Sequence, residues 1–129
     1  MDIAVCMVVD ANDGKLLGEV AGIQGAHGTA IVDSARRGFA TSGNDQSVVM
    51  FDLETYKVLG RIPAAEDADA IIYDAASNRV LSFNGDAKSS TVIDPVAGKR
   101  ITDIPLAGKP EYAASAGDGR VFVNMSPCT

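Results

Sequence analysis

The chain has no tryptophan, a single histidine and two cysteines in 129 residues, and aromatics make up only 5% of it. Without large rings, small and β-branched side chains must fill any core to the usual density. Neither Cys6 nor Cys128 sits in a CxxC pair, which excludes a disulfide scaffold and a cysteine-built metal site. Both are expected to be free thiols serving as small apolar residues. Basic residues are also scarce, with 11 Lys and Arg against 17 Asp and Glu, for a net charge of −6 spread along the chain. Nucleic acid calls for clustered Lys and Arg, so no nucleic-acid partner is expected. Anionic membrane surfaces are disfavoured for the same reason. No stretch approaches the roughly 20 apolar residues of a membrane span. The apolar start, Met1 to Val9, lacks a basic beginning and a small-residue cleavage site, so it is not expected to be an export signal. No GxSxG, HExxH, Walker or Gly-rich dinucleotide pattern occurs. We therefore assign no catalytic residue, metal or cofactor, and expect a chain that is not itself an enzyme.

What the sequence does contain is a repeat. At 47% hydrophobic and 22% charged it has the composition of a folded globular protein. Asp10, Asp52 and Asp94 stand 42 residues apart, as do Lys15, Lys57 and Lys99. Leu17, Leu59 and Ile101 keep the interval, and so do Val20, Ile62 and Ile104, and Val9, Phe51 and Ile93. Two series hold the spacing with changed chemistry: His27, Asp69 and Glu111, then Gly28, Ala70 and Tyr112. Each unit alternates short runs rich in Val, Ile, Phe and Thr with turn residues. The runs predict strands at 29–33, 38–42, 47–53 and 57–63, then 69–74, 79–84, 90–94 and 99–105. Each Asp of the first series opens the turn between the third and fourth strands, where its carboxylate can accept from the backbone two residues on. Four antiparallel strands per about 42 residues is the pattern of one β-propeller blade, of the WD40-like size class. The predicted fold is all-β, with about three blades in the chain 1–129. They are a half-blade at 3–21, blades at 29–63 and 69–105, and a half-blade at 111–125.

The stretch Val48-Val-Met-Phe-Asp-Leu-Glu-Thr-Tyr-Lys-Val-Leu-Gly-Arg-Ile-Pro63 resembles the repeat of YVTN-type β-propellers. A second copy runs through Thr91-Val-Ile-Asp-Pro-Val-Ala-Gly-Lys99, Ile104-Pro105 and Gly108-Lys-Pro110, and Gly119-Arg-Val-Phe-Val-Asn124 resembles the family's second-strand motif. The phrases Ala26-His27-Gly28 and Asp69-Ala-Ile-Ile-Tyr-Asp74 are similar to the YncE-like group. The resemblance covers nearly the whole chain and implies a bacterial seven-bladed, quinoprotein-like propeller exported to the periplasm or cell surface. Seven blades of this size need about 300 residues, so the chain is expected to be an internal fragment or a truncated reading frame of a larger protein.

In such a fold the first strands line a central channel, and one face is formed by the inter-blade loops and the loops between strands two and three. Rigid scaffolds place binding on such loops. The ligand-binding candidates are His27, Asp69 and Glu111, at equivalent places near the channel, and Asn44, Asp45, Asp86 and Lys88, on the loops between strands two and three. One His with two carboxylates has the composition of a facial metal triad, but equivalent residues on neighbouring blades splay apart around an axis. Arg36-Arg37 reads as a solvated turn on the opposite side. The expected function is a non-catalytic binding or scaffold module, holding a small molecule, peptide or protein at the channel face. The alternative is part of an enzymatic propeller of the lactonase or quinone- or haem-dependent dehydrogenase type. The half-blades should leave open strand edges, allowing self-association. Two chains could close a six-bladed ring, but we expect aggregation, or a marginal monomer belonging to a larger protein, since the parent family closes with seven.

Overall fold

A computed structural model describes residues 5–127. Its strands are β1 (Val5–Val9), β2 (Leu16–Ala21), β3 (Thr29–Val32), β4 (Arg37–Ser42), β5 (Ser47–Asp52) and β6 (Val58–Pro63). They continue as β7 (Ala68–Asp74), β8 (Arg79–Asn84), β9 (Ser89–Asp94), β10 (Lys99–Pro105), β11 (Lys109–Ser115) and β12 (Val121–Ser126). Two four-stranded sheets, β3-β4-β5-β6 and β7-β8-β9-β10, are flanked by two-stranded sheets, β1-β2 and β11-β12. All neighbours are antiparallel. Helical backbone among the described residues is confined to two 3₁₀ turns, Asp33–Ala35 and Gly43–Asp45.

The 42-residue period is a period of turns. Asp10, Asp52 and Asp94 accept the backbone N–H two residues on, at 2.8, 2.8 and 2.9 Å. Their carbonyls accept from residues 14, 56 and 98 at 2.8, 3.0 and 2.8 Å. Those three residues, Gly14, Tyr56 and Gly98, all have left-handed backbone. Two of the three are glycine, which adopts that conformation without a Cβ clash.

Alternation along the strands divides each sheet into two apolar faces, because successive side chains point to opposite sides. Val32, Phe39, Val48, Met50 and Ile62 of the first four-stranded sheet pack against Ile71, Val80 and Ile93 of the second. The opposite face of the first sheet, with Ala40, Val49 and Phe51, packs on Val20 and Ile23 and on half-buried Cys6. Fully burying one such side chain is worth about 1.5–3 kcal/mol, so these seams hold the array together. Close approach in a seam requires two glycines. A Cβ at Gly38 would fall 2.2 Å from the Phe51 ring, and one at Gly28 would fall 2.9 Å from the Asp69 carbonyl oxygen.

Polar bridges stitch the same seams. Thr41, fully buried, accepts the Gly28 N–H at 3.1 Å and donates to the Asp69 carbonyl at 2.8 Å. Asp74, 1% exposed, accepts from the Ser115 hydroxyl of the next unit at 2.6 Å.

One local expectation changes and the strand starts shift slightly. Asp69 and Glu111 lie in β7 and β11, as the strand readings from 69 and 111 have them, and strand pairing begins a little earlier, at Ala68↔Asn84 and Lys109↔Ser126. The register then shifts between Ala68 and Ile71 and between Pro110 and Tyr112, which places Asp69 and Glu111 within bulges. Arg36-Arg37 is not merely a solvated turn. Arg36 has left-handed backbone and pairs with Glu54, while Arg37 reaches into the next unit and donates to the carbonyls of Pro95 at 3.0 Å and Val96 at 2.7 Å. One guanidinium nitrogen thus serves two convergent carbonyls of the next unit's turn. Finally, the start of the predicted half-blade at 3–21, with Ile3 and Ala4, lies outside the described residues, as does Cys128.

Candidate binding face

The first strands of successive units, β3, β7 and β11, lie side by side, with β7 against both neighbours. Their inner edges enclose a cleft of about 270 Å³ lined by His27, Gly28, Ala70, Ile72, Tyr112 and Ala113, among others. Gly28, Ala70 and Tyr112 are equivalent in the repeat, so one small-to-large series forms the wall. Tyr112 is 70% exposed and its ring borders the cleft.

His27 precedes β3, and its Nδ1 lies 4.0 Å from Asp69 Oδ1, with both side chains largely in solvent. Thr41 fixes that approach by holding Gly28 and the Asp69 backbone with one hydroxyl. Glu111 shares their phase but not their contact, since its carboxylate accepts from the Ser126 hydroxyl on β12. Among the described residues no cluster of three or more His, Cys, Asp or Glu side chains is placed to hold a metal ion. The structure thus joins two of the three channel candidates and turns the third aside.

The remaining candidates lie on the loops after the second strands. Asn44 donates its N–H to the Gln24 carbonyl at 3.0 Å, and Gly43 donates to Gly25 at 3.2 Å, so this loop is bound to the inter-blade loop before β3. Asp45 accepts from the Ser47 hydroxyl at 2.7 Å and pairs with Arg61 at 3.4 Å. One unit on, the construction repeats with charge. Gly85 donates to Asp67 at 2.9 Å, and Asp86 pairs with Lys109 at 3.1 Å. The hydrogen bond that Lys109 donates to Asp86, and the charge of that carboxylate, raise the Lys109 pKa above its ordinary value. Lys88 has left-handed backbone, and its carbonyl accepts from Leu106 at 2.9 Å, as that of Gln46 does from Ala64. The Asn44 backbone and the Asp45 and Asp86 carboxylates therefore already have protein partners, whereas His27 and Tyr112 border the cleft.

Sequence reasoning did not single out Tyr112 or Thr41 as site residues. The repeat offered a signal for Tyr112, since a large aromatic replaces Gly28 and Ala70 at a channel-facing position. Thr41 has no such signal, because an ordinary strand threonine looks the same whichever way its hydroxyl points.

No protein-family model matches the chain, and no curated protein matches it in sequence. Solved structures do match in fold. Hydrazine synthase from Kuenenia stuttgartiensis superposes with a TM-score of 0.79 at 17% identity, covering 85% of this chain and 32% of that one. The WD40 β-propeller domain of Doa1 superposes with a TM-score of 0.74, also at 17% identity, covering 88% of this chain and 38% of that one. The fold is a partial β-propeller. The chain spans about a third of the length of each of these structures, with two complete blades between two half-blades.

Proposed function

We propose that the chain is part of a binding or scaffold propeller whose ligand, a small molecule or a peptide side chain, enters the cleft between β3, β7 and β11. One observation carries the reading: a cleft of about 270 Å³ at equivalent inner edges, lined by an exposed tyrosine and by His27, whose imidazole lies beside Asp69. The repeat motifs support membership of the YVTN, YncE-like group, which implies a seven-bladed parent acting in the periplasm or outside the cell.

The test is a thermal-shift screen of small organic ions and short peptides on the chain and on a His27→Ala/Asp69→Ala/Tyr112→Ala variant. The variant should fold, because exposed polar and aromatic sites change stability by about 0.5 kcal/mol or less. Hits should stabilise the parent and lose their effect in the variant. Hits that persist unchanged in the folded variant would place binding elsewhere.

A further inference from the structure

The channel-face cleft is small, and no Lys or Arg stands in its walls. Its volume of about 270 Å³ falls just under the roughly 300–1,000 Å³ of pockets that take whole drug-sized ligands, so it admits a head group or a single side chain. The polar side chains that line it are those of His27, Thr29 and Tyr112. Sites for carboxylates and phosphates are built from Arg, Lys or helix N-termini, and none of these borders the cleft.

Negative charge stands at its rim instead. Asp69 Oδ1 lies 4.0 Å from Nδ1 of His27, whose ring lines the cleft, and this is the carboxylate's one ion-pair contact among the described residues. The charge of Asp69 stays unbalanced whenever that imidazole is neutral. Lys109 on β11 gives no relief, because its ammonium bonds Asp86 at 3.1 Å and is also drawn by Asp67 and Glu111. The backbone that carries Asp69 is fixed against β3. Thr41 donates its hydroxyl to the Asp69 carbonyl at 2.8 Å, and a Cβ on Gly28 would fall 2.9 Å from that same oxygen. The third unit supplies a ring. Tyr112 takes the place that Gly28 and Ala70 hold in the two preceding units, and all three line the one cleft. The face of an aromatic ring attracts cations through its quadrupole.

Resting on the reading of this cleft as a ligand site, we infer that its ligand is an organic cation, an ammonium or guanidinium head that lies against the Tyr112 ring and is balanced by the Asp69 carboxylate. The head belongs either to a small molecule or to a Lys or Arg side chain of a peptide. A bare metal ion would need three or more ligating side chains, and no group of that size is present among the described residues. An organic cation needs only an aromatic face and one carboxylate.

Calorimetric titration of the 129-residue chain tests the charge directly. The probes are choline and a blocked Gly-Arg-Gly peptide, each beside its uncharged counterpart, dimethylbutanol and the citrulline peptide, with benzoate as the anion. One or both cations should bind and the uncharged counterparts should not. Binding of choline alone assigns the head to a small molecule, and binding of the peptide alone assigns it to a side chain. Tyr112→Leu, folded by circular dichroism, should weaken the cation by about three- to thirty-fold, the worth of one cation–π contact. Tyr112→Phe should keep most of the affinity, since the ring face rather than the hydroxyl is used. Asp69→Asn should weaken it by about two- to five-fold, as for a half-exposed ion pair. Benzoate or an uncharged probe that binds as tightly as the cations, and is weakened by Tyr112→Leu, would overturn the cation and leave the cleft a ligand site. Cation binding that survives Tyr112→Leu unchanged would take the ligand out of the cleft and overturn both readings. No binding by either cation would overturn the cation alone, with the thermal-shift screen still deciding on the cleft.

Discussion

Ser90 is 2% exposed and its hydroxyl has no hydrogen-bond partner. The equivalent positions hold Cys6 and Val48. A buried hydroxyl left unpaired costs about 1–3 kcal/mol, so Ser90→Val should stabilise the chain by about 1 kcal/mol in urea unfolding. A loss of stability would mean that the hydroxyl has a bonding role. Asp74 is the opposite case. Hydrogen bonds from the Ser115 hydroxyl, then the Ser77 hydroxyl and backbone N–H, lower its pKa to about 2 from 3.8. The folded state therefore holds the ionised form more tightly than the unfolded chain does, and that stability is complete above about pH 4. It should fade as pH falls from 4 through 2. Asp74→Asn should flatten that part of the pH profile relative to the parent, as followed by thermal melts. An unchanged profile would show that other carboxylates govern acid unfolding. Neither residue could be read from sequence as anything but polar. Burial and partnership belong to the seam between units, and Asp74 meets Ser115 only because the fold brings together residues 41 positions apart.

At the level of elements, the turns were legible and the clamps were not. An Asp that recurs every 42 residues points to an Asx turn, since the carboxylate acts on its own neighbourhood. Asp52→Ala should cost about 1 kcal/mol, the usual net worth of such a hydrogen bond, with little change in the strands as seen by circular dichroism. The glycine at position 38 answers to its cross-strand partner Phe51. Gly38→Ala would drive a methyl into the Phe51 ring, and overpacking of that kind costs about 1–3 kcal/mol. An effect well below that, measured by denaturant unfolding, would show that Phe51 can swing aside. Periodicity could not reveal Arg37 as a clamp, because its counterpart one unit on is Arg79, which bonds instead to the carbonyl of its neighbour Asn78. The channel site was half legible for a related reason. His27, Asp69 and Glu111 share a phase, but phase fixes where a backbone lies, and Ser126 decides where the Glu111 carboxylate goes.

Across the whole molecule, burial is deepest in the second and third strands of the complete blades and falls off to the fourth strands and to the half-blades. Strands β4 and β5 are almost wholly buried, while β6 is mostly exposed, every residue of β10 is exposed and half of β12 is. In stacked repeats each unit leans on its neighbours, so the inner blades are held from both sides and the half-blades from one. Opening should be local and graded rather than all at once. Amide hydrogen exchange would then follow a strand's place within its blade and the blade's place in the array. The amides of β4, β5 and β8 should exchange last, and those of β1, β10 and β12 first, although all are hydrogen-bonded in regular ladders. The Arg37 and Thr41 bridges both cross the central seam, so the inner strands of the two complete blades should exchange as one cooperative block. The protein would then unravel from its edges inward, with the seam that holds the His27–Asp69 approach the last to open.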